Sequence, residues 1–196
     1  NGRVLVNPDP VQVQEYTARM EAARAAAENA RRLRDAPAVT RDGHRIEIAA
    51  NIGSVRDARR AVAMGAEAVG LFRTEFLFLD RRDAPTEEEQ YETYRATARA
   101  LEGRALLVRT LDIGGDKPLP YVNMPHEANP FLGLRGLRLS LAQPELFKTQ
   151  LRALLRAGAE FPNLRVMFPM VTTVEEFHAA VVLMEHARAE LRAREL

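Results

Sequence analysis

The 196-residue chain contains no cysteine. That removes disulfides, thiolate zinc sites and cysteine nucleophiles together, and a reducing, cytoplasmic setting fits best. Lysine is nearly missing as well: 26 of the 28 basic residues are arginine, Lys117 and Lys148 being the exceptions. Nor is there an excess of charge of one sign. The 28 Lys and Arg stand against 27 Asp and Glu, so no global field favours nucleic acid. No run approaches 18 apolar residues without a charge, which excludes a membrane span. The opening Asn1-Gly2-Arg3-Val4 has neither the layout of a signal peptide nor an initiator Met, so the expectation is a fragment or a processed product. P-loop and Rossmann glycine fingerprints are also missing, which argues against both chemistries.

What is present is 46% hydrophobic and 28% charged, enough for one cored domain, or one domain plus a segment of another. Residues 3–6 read as a short strand. Asp9 is a plausible cap and Pro10 a first helical residue for a helix reaching Arg34. Its thin apolar seam (Val13, Tyr16, Met20, Ala23, Ala27, Ala30) suits a linker. Beyond Asp35-Ala36-Pro37, strands are expected over Arg45–Asn51, Ala68–Arg73, Ala105–Thr110 and Leu164–Met170. Helices alternate with them. Ser54-x-x-Asp57, Thr86-Glu87-Glu88-Glu89 and Thr173-x-x-Glu176 supply caps, and the last helix is expected to run off the end at Leu196. Two helical pieces, near Leu132–Leu141 and Pro144–Ala157, precede the fourth strand. Four β-α alternations with continuous apolar strands predict an α/β fold with a parallel sheet covered by helices.

In such folds ligands sit beyond the carboxyl ends of the strands. Three polar clusters fall there: Asn51 leading into Gly53-Ser54, then Arg73-Thr74-Glu75, then Arg109-Thr110-Leu111-Asp112-Ile113-Gly114-Gly115-Asp116-Lys117. Neighbouring strands lie about 4.8 Å apart, so Arg73 and Arg109 would reach one anion if their strands pair, as a clamp for phosphate or carboxylate. The glycine pair would let backbone amides approach, and Lys117 adds a mobile charge. The plainer alternative is a set of structural ion pairs, Arg73 with Glu75 and Arg109 with Asp112 or Asp116. Asn129 is the expected cap of the following helix, and Arg135 near its start is either a further anion contact or, as is commoner, a solvated side chain. The polar stretch from Ile113 to Pro130 is long for a βα loop, and loops of that length are usually functional or disordered. His44, His126, His178 and His186 have no diagnostic spacing and read as incidental.

At these residues the sequence resembles the phosphoenolpyruvate–protein phosphotransferases, enzyme I of the bacterial sugar phosphotransferase system. The resemblance is carried by Gly70-Leu71-Phe72-Arg73-Thr74-Glu75-Phe76-Leu77-Phe78, Pro85-Thr86-Glu87-Glu88-Glu89-Gln90, Arg109 through Lys117, and Asn129-Pro130-Phe131-Leu132-Gly133-Leu134-Arg135. It implies that residues 1–8 end a phosphohistidine domain and that 9–37 form a linker helix. Residues 38–196 would then be the first four β-α units of a (β/α)8 TIM-type barrel that binds phosphoenolpyruvate. By position, Arg73, Arg109 and Arg135 would bind substrate, with Asp112 and Lys117 supporting. The implied chemistry moves a phosphoryl group, with Mg2+, from phosphoenolpyruvate to an enzyme histidine. From there it passes to a small histidine-containing phosphocarrier protein; the barrel also makes the family's homodimer contact. The family's acceptor histidine, magnesium carboxylates and catalytic cysteine match nothing here, so no catalytic or metal residue is assigned and the chain alone is expected to be inactive. Pyruvate,phosphate dikinases and phosphoenolpyruvate synthases share this barrel and an Arg-Thr-Glu motif and stay open as alternatives. So does a non-catalytic regulatory or scaffold domain.

Overall fold

The computed structural model describes residues 2, 4–114, 119–122, 127, 129 and 131–196, and they divide into two compact units, Asn1–Ile46 and Glu47–Leu196. In the first unit, helix α1 (Pro10–Leu33) opens on a capping box. The Gln12 N–H donates to the Asp9 carboxylate at 2.8 Å, and the Asp9 N–H donates to the Gln12 side chain at 3.2 Å. No α1 residue is buried, as its thin alanine seam leads one to expect. Strands β1 (Ala38–Val39) and β2 (Arg45–Ile46) pair antiparallel around a turn containing His44. The expected strand over 3–6 is corrected. Arg3 lies outside the described residues, and Val4–Val6 form no strand because nothing among the described residues pairs with them; Val4 and Val6 stay exposed.

In the second unit, β3 (Ala49–Ile52), β4 (Ala68–Arg73), β5 (Leu106–Arg109) and β6 (Leu164–Met167) form one parallel sheet in chain order. Helix α2 (Val55–Ala63) links β3 to β4. Helices α3 (Glu75–Phe78) and α4 (Glu87–Ala100) link β4 to β5, and α5 (Gly136–Ala142) with α6 (Pro144–Glu160) links β5 to β6. Helix α7 (Val174–Ala193) follows. The strand order never reverses. Right-handed crossovers then place every connecting helix on one face, so the sheet is singly wound.

Burial agrees. Phe72, Leu106 and Val108 pack with Ala58 of α2, Tyr94 and Ala98 of α4, and Leu154 and Ala157 of α6. The Phe72 and Tyr94 rings meet edge to face at 6.1 Å. The alternate residues Leu71, Arg73, Leu107 and Arg109 remain at least partly accessible. A helix-covered outer face and an open inner face is what one wall of a β/α barrel has, and the four strands are consistent with a partial barrel.

Several boundaries differ from expectation. The strand expected over Arg45–Asn51 is two, because Arg45–Ile46 pairs with β1 and Ala49–Ile52 with β4. The one-turn α3 was not foreseen. Asn129 does not cap α5: Arg135 holds that position without a side-chain bond, since the Glu127 carboxylate accepts from the Leu134 N–H at 2.9 Å and keeps the preceding residues in turns. Helix α7 stops at Ala193 rather than Leu196. The Ser54, Thr86 and Thr173 caps all form as expected.

Away from the strand ends, α4, α6 and α7 are tied by one carboxylate. Glu87 accepts from Arg152 Nε at 2.7 Å, Arg156 Nη1 at 2.9 Å and Arg194 Nη1 at 2.9 Å. Arg152 also meets Glu190 at 2.6 Å, and the Arg156 guanidinium lies 4.0 Å over the Tyr91 ring. Burial alone would raise the Glu87 carboxyl. The three guanidinium hydrogen bonds outweigh it and hold the group down to about 2.

A group depressed in the folded state stabilises it above the ordinary carboxylate range, and that stability is lost as pH falls toward the folded value. The urea midpoint should therefore fall between pH 5 and pH 2. Glu87→Gln should lower it at pH 7 and flatten this slope. Identical pH profiles for the two proteins would contradict the assignment.

Candidate functional site

The carboxyl ends of the four strands form one rim, and the register sets which residues meet there. Arg73 is the Cα partner of Arg109, and Arg109 is the partner of Met167. Paired residues of parallel strands project to the same face, so both arginines stand side by side on the open inner face. Arg73 is exposed and has no ion-pair or hydrogen-bond partner among the described residues.

Arg109 is held by two carboxylates. Its Nη2 donates to Glu75 Oε1, and its Nη1 lies 3.2 Å from Asp112 Oδ2. The other Asp112 oxygen accepts from Arg135 Nε at 3.0 Å. The Asp112 side chain is only 6% exposed. A chain Glu75–Arg109–Asp112–Arg135 thus alternates in sign and is neutral overall. Counting Arg73, these five side chains leave one net positive charge at the rim. Buried pairs of this kind fix geometry more than they add stability.

Each member is placed by local chain geometry. β4 runs straight into α3, whose first residue is Glu75, and the Leu77 N–H donates to the Thr74 carbonyl at 2.9 Å. Arg135 is brought in from two sides. The Leu137 N–H donates to the Pro169 carbonyl at 3.0 Å, tying the start of α5 to the chain after β6. Opposite, Gly114 has a φ of 155°, and a Cβ there would lie 2.5 Å from the Arg135 Cβ and 3.1 Å from the Leu134 carbonyl. The lack of a Cβ at Gly114 lets the chain after β5 close on Arg135. Gly115, Asp116 and Lys117 lie outside the described residues.

A second set of residues at the rim was missed in the sequence. Gln150 of α6, 1% exposed, accepts from the Leu111 N–H at 3.0 Å and donates to Tyr94 OH at 3.1 Å and Thr74 Oγ1 at 3.3 Å. Thr74 Oγ1 donates to the Arg109 carbonyl at 2.8 Å. Tyr94 OH donates to Gln90 Oε1 at 3.1 Å, and Gln90 Nε2 to the Pro85 carbonyl at 3.1 Å. Burial pushes the Tyr94 phenol well above its ordinary range, so it stays a donor. One signal was available: Gln150 falls on the apolar stripe Phe147, Leu151, Leu154, where a polar residue must find buried partners.

Beside the rim lies a cavity of about 810 Å3 whose lining includes Asn51, Gly53, Ser54, Arg73, Phe76 and Leu77. It is of a size that takes a small ligand and gathers the expected Asn51–Ser54 and Arg73 clusters. Among the described residues no group of three or more His, Cys, Asp or Glu side chains is placed to hold a metal ion. No helix among them is long and apolar enough to cross a membrane. His126 lies outside the described residues, and His44, His178 and His186 take no part in the rim contacts.

Residues 27–196 match the family model for the PEP-binding domain of PEP-utilising enzymes, PEP being phosphoenolpyruvate. The chain is 51% identical over 97% of its length to the phosphoenolpyruvate-protein phosphotransferase of Staphylococcus carnosus, covering 33% of that protein. Against the protein of that name from Bacillus subtilis the identity is 47% over 98% of the chain and 34% of the relative. It is also 48% identical over 100% of its length to the multiphosphoryl transfer protein of Xanthomonas campestris pv. campestris, covering 23% of that protein. The chain spans about a third of the length of the phosphotransferase relatives it matches.

The close approach at Gly114 yields a stability test. Gly114→Ala should cost about 1–3 kcal/mol through overpacking, read as a shifted denaturation midpoint, because the methyl group would meet Arg135. Gly103→Ala, where a Cβ meets nothing within 4 Å, supplies the comparison for backbone strain alone. Equal losses in both would remove the packing argument.

Proposed function

The chain belongs to the PEP-utilising enzymes through their PEP-binding domain, and from that premise we propose that its rim binds the phosphate of phosphoenolpyruvate within a phosphoenolpyruvate–protein phosphotransferase. The observation that carries this reading is the register pairing of Arg73 with Arg109 on the open inner face. A phosphate dianion calls for two convergent cations, and guanidiniums meet phosphate oxygens through paired N–H groups. Arg73 is free to turn toward such a ligand. Arg109 is already fixed through its two terminal nitrogens, and its buried Nε has no partner among the described residues. Arg135, tied through Asp112, completes the cationic side of the rim.

On this reading the parent enzyme moves the phosphoryl group from the enol oxygen of phosphoenolpyruvate to a histidine nitrogen, and then to a histidine-containing phosphocarrier protein serving sugar uptake. The rim contributes positioning and charge stabilisation, which make up most of what a protein supplies to phosphoryl transfer. The four-stranded wall is then the first half of a (β/α)8 barrel, the parent acts as a cytoplasmic homodimer through that barrel, and residues 9–37 form the linker. Mg2+ would neutralise substrate charge in the parent. Glu75 and Asp112 are both engaged by arginines, so the described rim does not fit a magnesium site. Lys117 remains a proposed supporting charge.

Titration calorimetry on the natural full-length protein tests the clamp. Hydrogen bonds to charged groups are worth about 1.5–3 kcal/mol, so Arg73→Ala and Arg109→Ala should each weaken phosphoenolpyruvate binding by roughly 10- to 150-fold. Arg73→Ala should leave the melting temperature unchanged, because it strands no partner. Arg109→Ala should lower it, because Glu75 loses its cation. Unchanged binding in both variants would end the reading. The isolated 196 residues should acquire no phosphoryl label from phosphoenolpyruvate, and labelling would show that the accepting group lies within them.

A further inference from the structure

The two arginines act on one anion only if the strand ends that carry them keep a fixed relative position. The backbone ladder alone does not secure this, because β4 and β5 end at Arg73 and Arg109 and the register between them already shifts within Val69–Phe72. Past that point the chain diverges, into α3 on one side and toward Leu111 and Asp112 on the other.

Beside the Thr74–Arg109 and Glu75–Arg109 contacts, a buried side chain from the helical layer spans the divergence. Gln150 reaches from α6, on the helix-covered side, to both strand ends: its Oε1 takes the Leu111 N–H and its Nε2 takes Thr74 Oγ1. The amide has only one workable orientation. A backbone N–H can only donate, so the oxygen must face Leu111 and the nitrogen must face the two hydroxyls. Thr74, the residue after Arg73, accepts this bond and passes its own proton to the carbonyl of Arg109. The second Nε2 proton goes to Tyr94 OH, whose proton is in turn taken by Gln90. Each donor of the chain therefore has an acceptor, and the side chains of Thr74, Gln90 and Gln150 are fully or almost fully buried.

We propose that Gln150 is a positioning residue that, through Thr74 and the Leu111 amide, locks the ends of β4 and β5 so that Arg73 and Arg109 close on the same phosphate. The role rests on the phosphoenolpyruvate reading given above. Gln150 touches no ligand. It acts on Arg73 through the next residue in the chain, and on Arg109 from both sides, through its carbonyl and through the amide two residues on. A displacement of about 1 Å in a binding constellation is enough to cost roughly a hundredfold, and local bonds of this kind set how often a segment opens.

The test compares Gln150→Met, which keeps the volume and removes the bonds, with Thr74→Val and Thr74→Ser in the natural full-length protein. Two quantities are read below the melting range: phosphoenolpyruvate affinity, and hydrogen exchange at the Leu111 amide. Gln150→Met and Thr74→Val are expected to weaken affinity at least about tenfold. Thr74→Ser, which keeps the hydroxyl, is expected to recover most of that loss. Leu111 exchange should rise about tenfold or more in Gln150→Met, with the Leu106 and Val108 amides unchanged. A rise in exchange with unaltered affinity would overturn the positioning role, and unaltered Leu111 exchange would overturn the lock itself. Failure of the parent protein to bind phosphoenolpyruvate at all would instead overturn the proposed function and the ligand assigned here, while the exchange comparison would still decide the lock.

Discussion

Two guanidiniums on neighbouring strands repel each other, and the rim is organised around that constraint. At 4 Å near a protein surface the repulsion between unit charges is about 4 kcal/mol. The register makes Arg73 and Arg109 direct Cα partners, so it is the swing of their long side chains and the nearby carboxylates that keep this repulsion small. Glu75 and Asp112 offset the charge on Arg109 and Asp112 also holds Arg135, so among the described residues Arg73 is the one of the three arginines without a carboxylate partner. An entering dianion would thus meet Arg73, unpaired among the described residues, and Arg109 and Arg135 held in place. That division separates recognition from alignment.

A second consequence is the separation between what holds the shell and what holds the rim. The outer helices are joined by Glu87 and its three arginines together with the Phe72, Tyr94 and Leu154 core. The rim is joined to that shell mainly by Gln150 and Tyr94, polar side chains rising through an otherwise apolar layer. Stability and site geometry are therefore carried by different residues that share helices α4 and α6. A change in the Glu87 network acts on the melting of the whole unit, whereas a change at Gln150 acts first on the strand ends.

Much of this was legible in the sequence, for definite reasons. The four parallel strands are short apolar runs set between capped helices, and a cap such as Thr86 with Glu89 acts within four residues, so local pattern suffices. Arg73 and Arg109 were recoverable because each is the last residue of such a run. What local pattern does not encode is pairing over distance. Arg109 meets Glu75 across 34 positions, where a nearest-neighbour view couples Arg73 to Glu75. Gln150 meets Thr74 across 76. The split of the first strand and the true start of α5 at Gly136 were hidden for the same reason: both depend on a partner elsewhere, β1 in one case and Glu127 in the other. The resemblance to the phosphotransferases supplied the ligand class, which neither periodicity nor spacing could.

The placement of unsatisfied groups gives the last step. Buried polar atoms without partners cost about 1–3 kcal/mol each, and folds remove nearly all of them. Among the described residues those left without a protein partner are Glu75 Oε2, Arg109 Nε and Thr110 Oγ1, and all three belong to the two strand ends at the rim. The helical shell, with many more polar side chains, has none among the described residues. A cost confined, among the described residues, to where β4 and β5 end is not explained by the needs of folding, since buried ion pairs can often be replaced by apolar packing without loss of stability. It is explained if the strand ends are built for a polar ligand to complete. The lock at Gln150 then has its physical sense. A site that leaves buried donors and acceptors open has every tendency to relax and satisfy them internally, and a rigid tie between the strand ends prevents that collapse.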